Sequence, residues 1–192
     1  MMLINKIREV TSEQHKKTDN FLYPFFKAIE TAEDYIKILK AFYAFFHPVM
    51  NSIDRHLNKT RVNDYAERRK TGSLAADLEH FGVCAQDIEP AEQLPTITGD
   101  AEAMGAYYVL EGSTLGGVFL SGMIAERLGI TDSKGISFFS GYGGNSKNMW
   151  NRFLSYLEDY DNDEKRSAVI ADTAEQTFRL FYEHLQQCFE KQ

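Results

Sequence analysis

A histidine and an aspartate stand one helical turn apart near the start of the chain, at His15 and Asp19. With this spacing, the carboxylate can hydrogen-bond one ring nitrogen, directly or through a water molecule, and fix the tautomer. The other nitrogen is then a better metal ligand. A lone histidine on a helix is more often an ordinary surface or core residue. His15, however, has small or polar neighbours along its row of the helix, which favours a ligand.

A second unusual stretch lies near the middle of the chain, where glycines interrupt an apolar segment that is otherwise predicted to be one helix from about residue 101 to 127. The glycines are Gly105, Gly112, Gly116, Gly117 and Gly122. Each costs a helix interior about 1 kcal/mol relative to alanine. At 3.6 residues per turn, positions 105, 112 and 116 fall on one face, with 113 and 117 beside them. Another backbone or a flat ligand must therefore come close to this face.

Three explanations of the glycines are open. Small residues at this spacing permit tight packing between two helices. A membrane span is a second explanation, but Glu111 would sit near its centre and no basic cluster flanks it. The third explanation is a helix that bends over a planar ligand and approaches it through bare backbone. A partner for the ligand on its opposite side would favour this third explanation, and His15 is the candidate.

The composition predicts an all-α protein in which residues 1–192 form a single domain. Of the 192 residues, 43% are hydrophobic and only four are proline, and the apolar residues recur with helical spacing. The formal net charge of −7, without a cluster of Lys and Arg, argues against a nucleic-acid partner. Cys84 and Cys188 lack metal-ligand spacing and are expected to remain reduced. Charged residues within the first 20 positions argue against a signal peptide, so a cytoplasmic protein is expected.

The apolar periodicity also predicts the elements that position these residues. Helices are expected over residues 3–20, 33–57, a stretch ending near 81, about 101–127, about 147–159 and about 163–190. The charged segment 58–73, which includes Arg68, Arg69 and Lys70, is predicted to be a solvated connection. The glycine-rich segment 137–146 is predicted to be a loop without the pattern of a nucleotide site.

Taken together, these stretches resemble the heme oxygenase family. Thr11, His15 and Asp19 are similar to the family's proximal helix. The sequence YYVLEGSTLGG at residues 107–117 is similar to its distal helix, with a G-x-x-x-G-G signature. A later FFSGYG segment and the two helices after it follow in the family's order. The resemblance covers nearly the whole chain and is closest to the bacterial branch associated with bacteriophytochromes.

The resemblance implies a heme oxygenase-like fold with heme between the first helix and a kinked central helix. It also implies a monooxygenase that converts heme to biliverdin, carbon monoxide and ferrous iron with O₂, so that heme is both substrate and cofactor. Electrons must come from an external donor, a ferredoxin or an NADPH-dependent reductase, because nothing in the sequence binds flavin or nicotinamide. A biliverdin acceptor such as a bacteriophytochrome is a further expected partner, whereas nucleic acid and membranes are not expected.

The resemblance assigns roles on both faces of the heme. His15 would ligate the iron, and Asp19 would orient its ring. The wall on the distal side is implied to consist of Gly112, Gly116 and Gly117. Ser113 and Tyr107 would help to hold water there.

The remaining implied contacts are with the heme itself and its propionates. These cofactor-binding candidates are Arg8, Thr11, Lys16, Asp19, Arg152 and Phe178. The family often carries a Lys/Arg pair on the helix after the glycine-rich loop, and here Arg152 is the nearest basic residue, after Lys147. Arg8 and Lys16 on the first helix are expected to share the propionates. For each of these cations, the alternative is an ordinary surface charge.

One departure from the family bears on activity. Many heme oxygenases place an aspartate after the first glycine of the motif, where it anchors the distal water chain, whereas this chain has Ser113. Serine can donate and accept hydrogen bonds, but it organises water less strongly. A non-enzymatic heme-binding or carrier protein of the same fold is therefore the main alternative. A helical scaffold that binds no heme is the third.

Overall fold

A computed structural model describes residues 2–160 and 163–190, and over these ranges the chain is helical and has no β-strand. The predicted all-α class is confirmed. The helices in this part of the chain are α1 (Leu3–Lys27), α2 (Ala32–His56), α3 (Gly72–His80), α4 (Asp100–Leu128), α5 (Ser137–Ser140), α6 (Ser146–Glu158) and α7 (Glu164–Glu190). Short 3₁₀ turns lie in several of the connections.

Helix α1 is longer than the sequence predicted, because it continues past residue 20 and through Pro24 to Lys27. Proline removes one backbone hydrogen bond from a helix interior. Leu22 and Phe26 extend the buried face of α1 on either side of Pro24, and their burial offsets that loss. The helix packs against α7 along its length, which places the middle of α1 beside α7.

Helix α2 begins at a capping box, as its sequence favours. The Thr31 hydroxyl accepts a hydrogen bond from the Asp34 amide at 3.3 Å, and the Asp34 carboxylate accepts one from the Thr31 amide at 3.0 Å. These two bonds satisfy amides that the first turn of a helix leaves free. Farther along, Phe42 and Phe46 are buried and face the interior beside α4 and α7.

The central helix α4 is unbroken through Gly112 and Gly116, and it ends at Gly129 in the left-handed conformation (φ 65°). The predicted kink stays a prediction. Residues 103–111 are buried, and α4 packs against α2, α5, α6 and α7. Among the described residues, α4 is the one helix long and apolar enough to cross a membrane by length and composition alone. Its first half is buried as in a core helix, whereas Leu115, Val118 and Phe119 in its second half are exposed.

The segment 58–73 is not the solvated connection that its charges predicted. It forms two 3₁₀ turns, Lys59–Arg61 and Tyr65–Glu67, and then enters α3. Arg68 is only 2% exposed and Asp64 only 3%. The prediction was wrong because charged side chains can be buried when they pair with each other, and these two do.

Candidate functional site

A cleft opens between α1 and α4, and residues of α2, α5, α6 and α7 complete its walls. The free space within it, counting its open mouth, is about 920 Å³. The walls are largely aromatic, and these residues are Phe42, Phe46, Tyr108, Phe138, Phe139, Trp150, Phe178 and Phe181. The cleft therefore suits a large apolar ligand.

On the α1 side, the structure brings His15 and Asp19 together at the mouth of the cleft. The Nε2 atom of His15 lies 3.4 Å from Oδ2 of Asp19, and the two side chains are 59% and 68% exposed. The imidazole stacks on the Phe178 ring of α7, with the ring centroids 5.0 Å apart. Asp19 thus engages Nε2, which leaves Nδ1 as the nitrogen without a carboxylate. Thr11 lies one turn earlier and is buried, because its hydroxyl donates to the Ile7 carbonyl at 2.7 Å.

On the α4 side, two of the predicted wall glycines line the cleft. A Cβ atom built on Gly116 would have no neighbour within 4 Å, and one built on Gly112 would make ordinary contact with the Trp150 ring at 3.5 Å. Neither glycine is required by packing within the protein. The space in front of them is open to a ligand.

Gly117, the third predicted wall residue, does not line the cleft. A Cβ atom at Gly117 would collide with the carbonyl oxygen of Phe139, and one at Gly105 would collide with the carbonyl oxygen of Ile170 on α7. These two glycines serve close packing of backbones, which was the first of the three explanations. Gly112 and Gly116 thus border the cleft, whereas Gly105 and Gly117 allow backbones to pack closely.

Ser113 lines the cleft beside Gly112, and its partner is a residue that the sequence analysis missed. Its hydroxyl accepts a hydrogen bond from Nη2 of Arg69 at 2.6 Å and donates to the Leu110 carbonyl at 2.7 Å. Burial lowers the pKa of Arg69 to about 10, so its guanidinium is still charged at neutral pH. The sequence carries no signal for this pairing, because Arg69 and Ser113 are 44 residues apart.

Tyr107 does not reach the cleft, contrary to its predicted role. Its ring is fully buried, 5.6 Å from the Tyr65 ring and 5.3 Å from the Phe153 ring, and its hydroxyl has no hydrogen-bond partner within the described residues. The next residue, Tyr108, lines the cleft instead and packs on Trp150 at 5.1 Å. Neighbouring residues on a helix point about 100° apart, so the register of α4 decides which tyrosine faces the ligand.

The three predicted propionate residues separate into two groups. Arg8 and Lys16 line a shallow pocket that shares His15, Asp19 and Tyr108 with the cleft. Arg152 is engaged elsewhere: its Nη2 lies 3.0 Å from Oδ2 of the buried Asp64, and it does not line the cleft. The buried acid, which the sequence analysis took for a solvated residue, accounts for this difference.

Behind α4 lies a buried ionic cluster, formed by Asp64, Arg68, Glu111 and Tyr142. Arg68 donates to Asp64 at 2.7 and 2.9 Å and to Glu111 at 2.6 Å, and the Tyr142 hydroxyl donates to Glu111 at 2.9 Å. Burial raises the pKa of Glu111, and the two neighbouring arginines, Arg68 and Arg69, oppose that rise. A lone Glu111 within an apolar helix was the available sign of this cluster, because a buried carboxylate needs partners.

Two features of the α4 side leave room for a flat apolar ligand. Gly116 offers bare backbone, and Leu115 beside it is 42% exposed, an apolar surface that a ligand would cover. No group of three or more metal-ligating side chains occurs in the described part of the chain. A single imidazole such as that of His15 is the usual protein ligand of a metal already held in a macrocycle.

Comparisons with known proteins agree with this fold. The family model described as heme oxygenase matches residues 1–187. Heme oxygenase from Leptospira interrogans is 22% identical and superposes with a TM-score of 0.77, over 97% of this chain and 100% of the other. Heme oxygenase-2 from Synechocystis sp. PCC 6803, in complex with heme and NO, is 21% identical with a TM-score of 0.80, over 98% of this chain and 85% of the other. No curated protein matches the sequence significantly.

Proposed function

The chain belongs to the heme oxygenase family, and we propose that it binds heme in the cleft between α1 and α4 and degrades it to biliverdin, carbon monoxide and ferrous iron. O₂ and electrons from an external donor are the other reactants. The observation that carries the proposal is the placement of one imidazole, His15, and a bare stretch of α4 at Gly116 on the same aromatic cleft. Heme would be held by His15 on one side and approached by the bare backbone at Gly116 on the other.

On the α1 side, the residues hold and orient the ligand. Bound heme supplies the iron at which O₂ reacts and the ring that is oxidised. His15 would hold the iron through one ring nitrogen, Asp19 lies 3.4 Å from the other, Nε2, and the Phe178 ring packs on the imidazole with the ring centroids 5.0 Å apart. Such support from a neighbouring carboxylate also raises the basicity of a ligating histidine.

On the α4 side, the residues leave room and provide hydrogen bonds. Gly112 and Gly116 carry no side chain, so the α4 backbone can approach one face of the heme and leave space for a small ligand and ordered water. Ser113 presents a hydroxyl oxygen to that space. The aromatic walls from α2, α5 and α7 keep bulk water from the ring.

The edge of the heme is assigned to Arg8 and Lys16. Both cations lie in the shallow pocket that adjoins the cleft, where they can pair with the propionate carboxylates. The meso carbon that is attacked depends on how these two carboxylates are held. Tyr108 faces both the pocket and the cleft, so it joins the propionate end to the aromatic wall.

The partners and the place within the family follow from the resemblance alone. A ferredoxin or an NADPH-dependent reductase would deliver electrons to a cytoplasmic enzyme. A bacteriophytochrome would accept the biliverdin if the chain belongs to that branch. Copurification of a biliverdin-binding phytochrome, or transfer of biliverdin to one in solution, tests this part of the proposal.

Addition of heme, then O₂ and a reductant, tests the activity. Anaerobic titration with heme is expected to produce a Soret band of one heme per chain. Admission of O₂ with ascorbate or a ferredoxin system should then bleach that band and yield the spectrum of biliverdin. A stable oxygenated complex would favour the carrier, and the absence of any Soret shift would favour a scaffold that binds no heme.

Replacement of His15 by alanine tests the axial ligand. The resonance Raman iron–histidine mode of the ferrous protein should disappear, and added imidazole should restore an axial nitrogen. His56→Ala is the matched control, because His56 lies exposed on α2 and, among the described residues, hydrogen-bonds to the Ser52 carbonyl alone. An unchanged iron–histidine mode in His15→Ala would show that another residue ligates the iron.

A further inference from the structure

Arg69 lies directly behind two residues of the cleft wall. Its guanidinium carbon sits 4.0 Å from the centroid of the Phe138 ring, and its Nη1 donates to the Phe138 carbonyl at 3.2 Å. Its Nη2 donates to the Leu110 carbonyl at 2.7 Å and to the Ser113 hydroxyl at 2.6 Å. Phe138 and Ser113 both line the cleft. A cation is therefore separated from the cleft by one aromatic ring and one hydroxyl.

These hydrogen bonds fix the direction of the Ser113 hydroxyl. A serine hydroxyl has one hydrogen to donate and two lone pairs that accept. The hydrogen is directed to the Leu110 carbonyl, and one lone pair is occupied by Arg69. One lone pair is left. Ser113 can consequently only accept a hydrogen bond from a group in the cleft, which is also what an ionised carboxylate does.

Arg69 is held in place by the ionic cluster behind α4. Its backbone amide donates to the Tyr142 hydroxyl at 2.7 Å, and that hydroxyl donates to Glu111, which is paired with Arg68. Within residues 2–160 and 163–190, no carboxylate oxygen lies within 4.0 Å of the Arg69 guanidinium, whereas Arg68 contacts two acids. The Arg69 charge therefore has no direct ion-pair partner among these residues, although Glu111 acts on it from a greater distance.

We propose that Arg69 is a positioning residue of the distal site, which locks Ser113 as a hydrogen-bond acceptor and makes this side of the cleft favour an anionic over a neutral ligand. The inference rests on the proposed function, because it concerns the distal side of a bound heme. It explains how a serine can stand where many relatives carry an aspartate. Ser113 still accepts a hydrogen bond, as the aspartate would. The nearby charge, however, is the positive charge of Arg69 behind the cleft wall and not the negative charge of a carboxylate.

The acid–alkaline transition of the ferric heme spectrum tests the inference without measuring turnover. This transition exchanges a neutral distal ligand for an anionic one, and a nearby cation lowers its midpoint. In Arg69→Met the midpoint should rise by about one pH unit, which is the order of effect that one partly screened charge has on a neighbouring titration. Arg69→Lys keeps the charge and should restore much of the shift. Arg55→Gln, on the exposed end of α2, is the control and should leave the midpoint unchanged.

The double variant Arg69→Met/Ser113→Ala shows whether Arg69 acts through Ser113. The shift that Arg69→Met causes should be smaller in the Ser113→Ala background than in the unaltered protein, because the effects of coupled residues are not additive. Additive shifts, or an unchanged midpoint in Arg69→Met, would overturn the inference. Circular dichroism and the Soret band show that each variant is folded and loaded. If the unaltered protein shows no Soret band, the proposed function fails; if only the midpoints are unaffected, the inference alone fails.

Discussion

The two sides of the cleft are built in different ways. On α1, His15 and Asp19 are more than half exposed and are held by one contact of 3.4 Å and one ring stack. On α4, Ser113 is held by Arg69, and the layer behind is a closed ionic cluster whose central arginine is 2% exposed. One side is open to solvent, and the other is fixed before any ligand arrives.

This difference matches what each side has to do. A metal ligand needs only to reach its metal, and the bond to the metal then sets its final position. Groups that order water and stabilise charge must already be in place, because reorganisation during a reaction costs free energy. The comparison therefore predicts that changes behind α4 alter the stability of the whole protein, whereas changes on the exposed face of α1 alter ligand binding only.

The largest expected effect follows from breaking the ionic cluster. Arg68→Ala leaves Asp64 and Glu111 buried without their common partner, and the free energy of unfolding should fall by about 3–5 kcal/mol. Urea unfolding followed by circular dichroism measures it. Lys17→Ala is the control on α1, because its ion pair with Glu13 is exposed, and its urea midpoint should match that of the unaltered protein. A loss below about 1 kcal/mol in Arg68→Ala would mean that the cluster does not stabilise the fold.

A smaller loss is expected where α4 packs against the segment that carries Phe139. Gly117→Ala places a methyl group against the Phe139 carbonyl, and overpacking of this kind costs about 1–3 kcal/mol. The free energy of unfolding without heme is the measurement. Heme affinity should change only as far as the fold does, because Gly117 does not line the cleft. An unchanged stability would show that the two backbones can separate at no cost.

The neighbouring glycine should behave in the opposite way. Gly116→Ala meets no atom within 4 Å, and alanine is the better helix former, so the protein without heme should gain about 0.5–1 kcal/mol. The same methyl group projects into the cleft and should weaken heme binding, measured by the Soret titration. If stability rises and heme affinity does not fall, the ligand does not approach α4 at Gly116.

The sequence predicted the fold class and most helices, because apolar spacing follows directly from which face of a helix is buried. The two exceptions have different physical causes. The end of α1 was placed too early because Leu22 and Phe26 stabilise the helix beyond the polar residues near position 20. The segment around Arg68 was taken for surface because its acid partners come from positions 64 and 111. Composition along the chain does not show the pair with Glu111, which is 43 residues away.

For the site, the sequence indicated which kinds of residue line the cleft, but it indicated less well which side chains face it. Gly112, Gly116, Ser113 and His15 all line the cleft, since each was chosen for a property of its own side chain or lack of one. Tyr107 was misplaced by a single position, because both tyrosines satisfy the same pattern. Arg69 has no local signature in the sequence, because Ser113, the residue of the cleft wall to which it donates, is 44 positions away.

The smallest expected effect distinguishes Arg8, in the shallow pocket beside the cleft, from Arg152, outside the cleft. Arg8→Gln removes a cation from the pocket that adjoins His15 and Tyr108, and heme affinity should fall about two- to fivefold, as for one exposed ion pair. Arg152→Gln removes a cation that pairs with Asp64 outside the cleft, so its heme affinity should stay the same while its urea midpoint falls. Soret titrations at low and high salt measure both, and only the Arg8 effect should shrink with salt because the ion pair is screened. If instead Arg152→Gln weakened heme binding and Arg8→Gln did not, the propionates would lie near α6, where the family often carries its Lys/Arg pair. The residues around the ionic cluster would then help to hold the ligand as well as the fold.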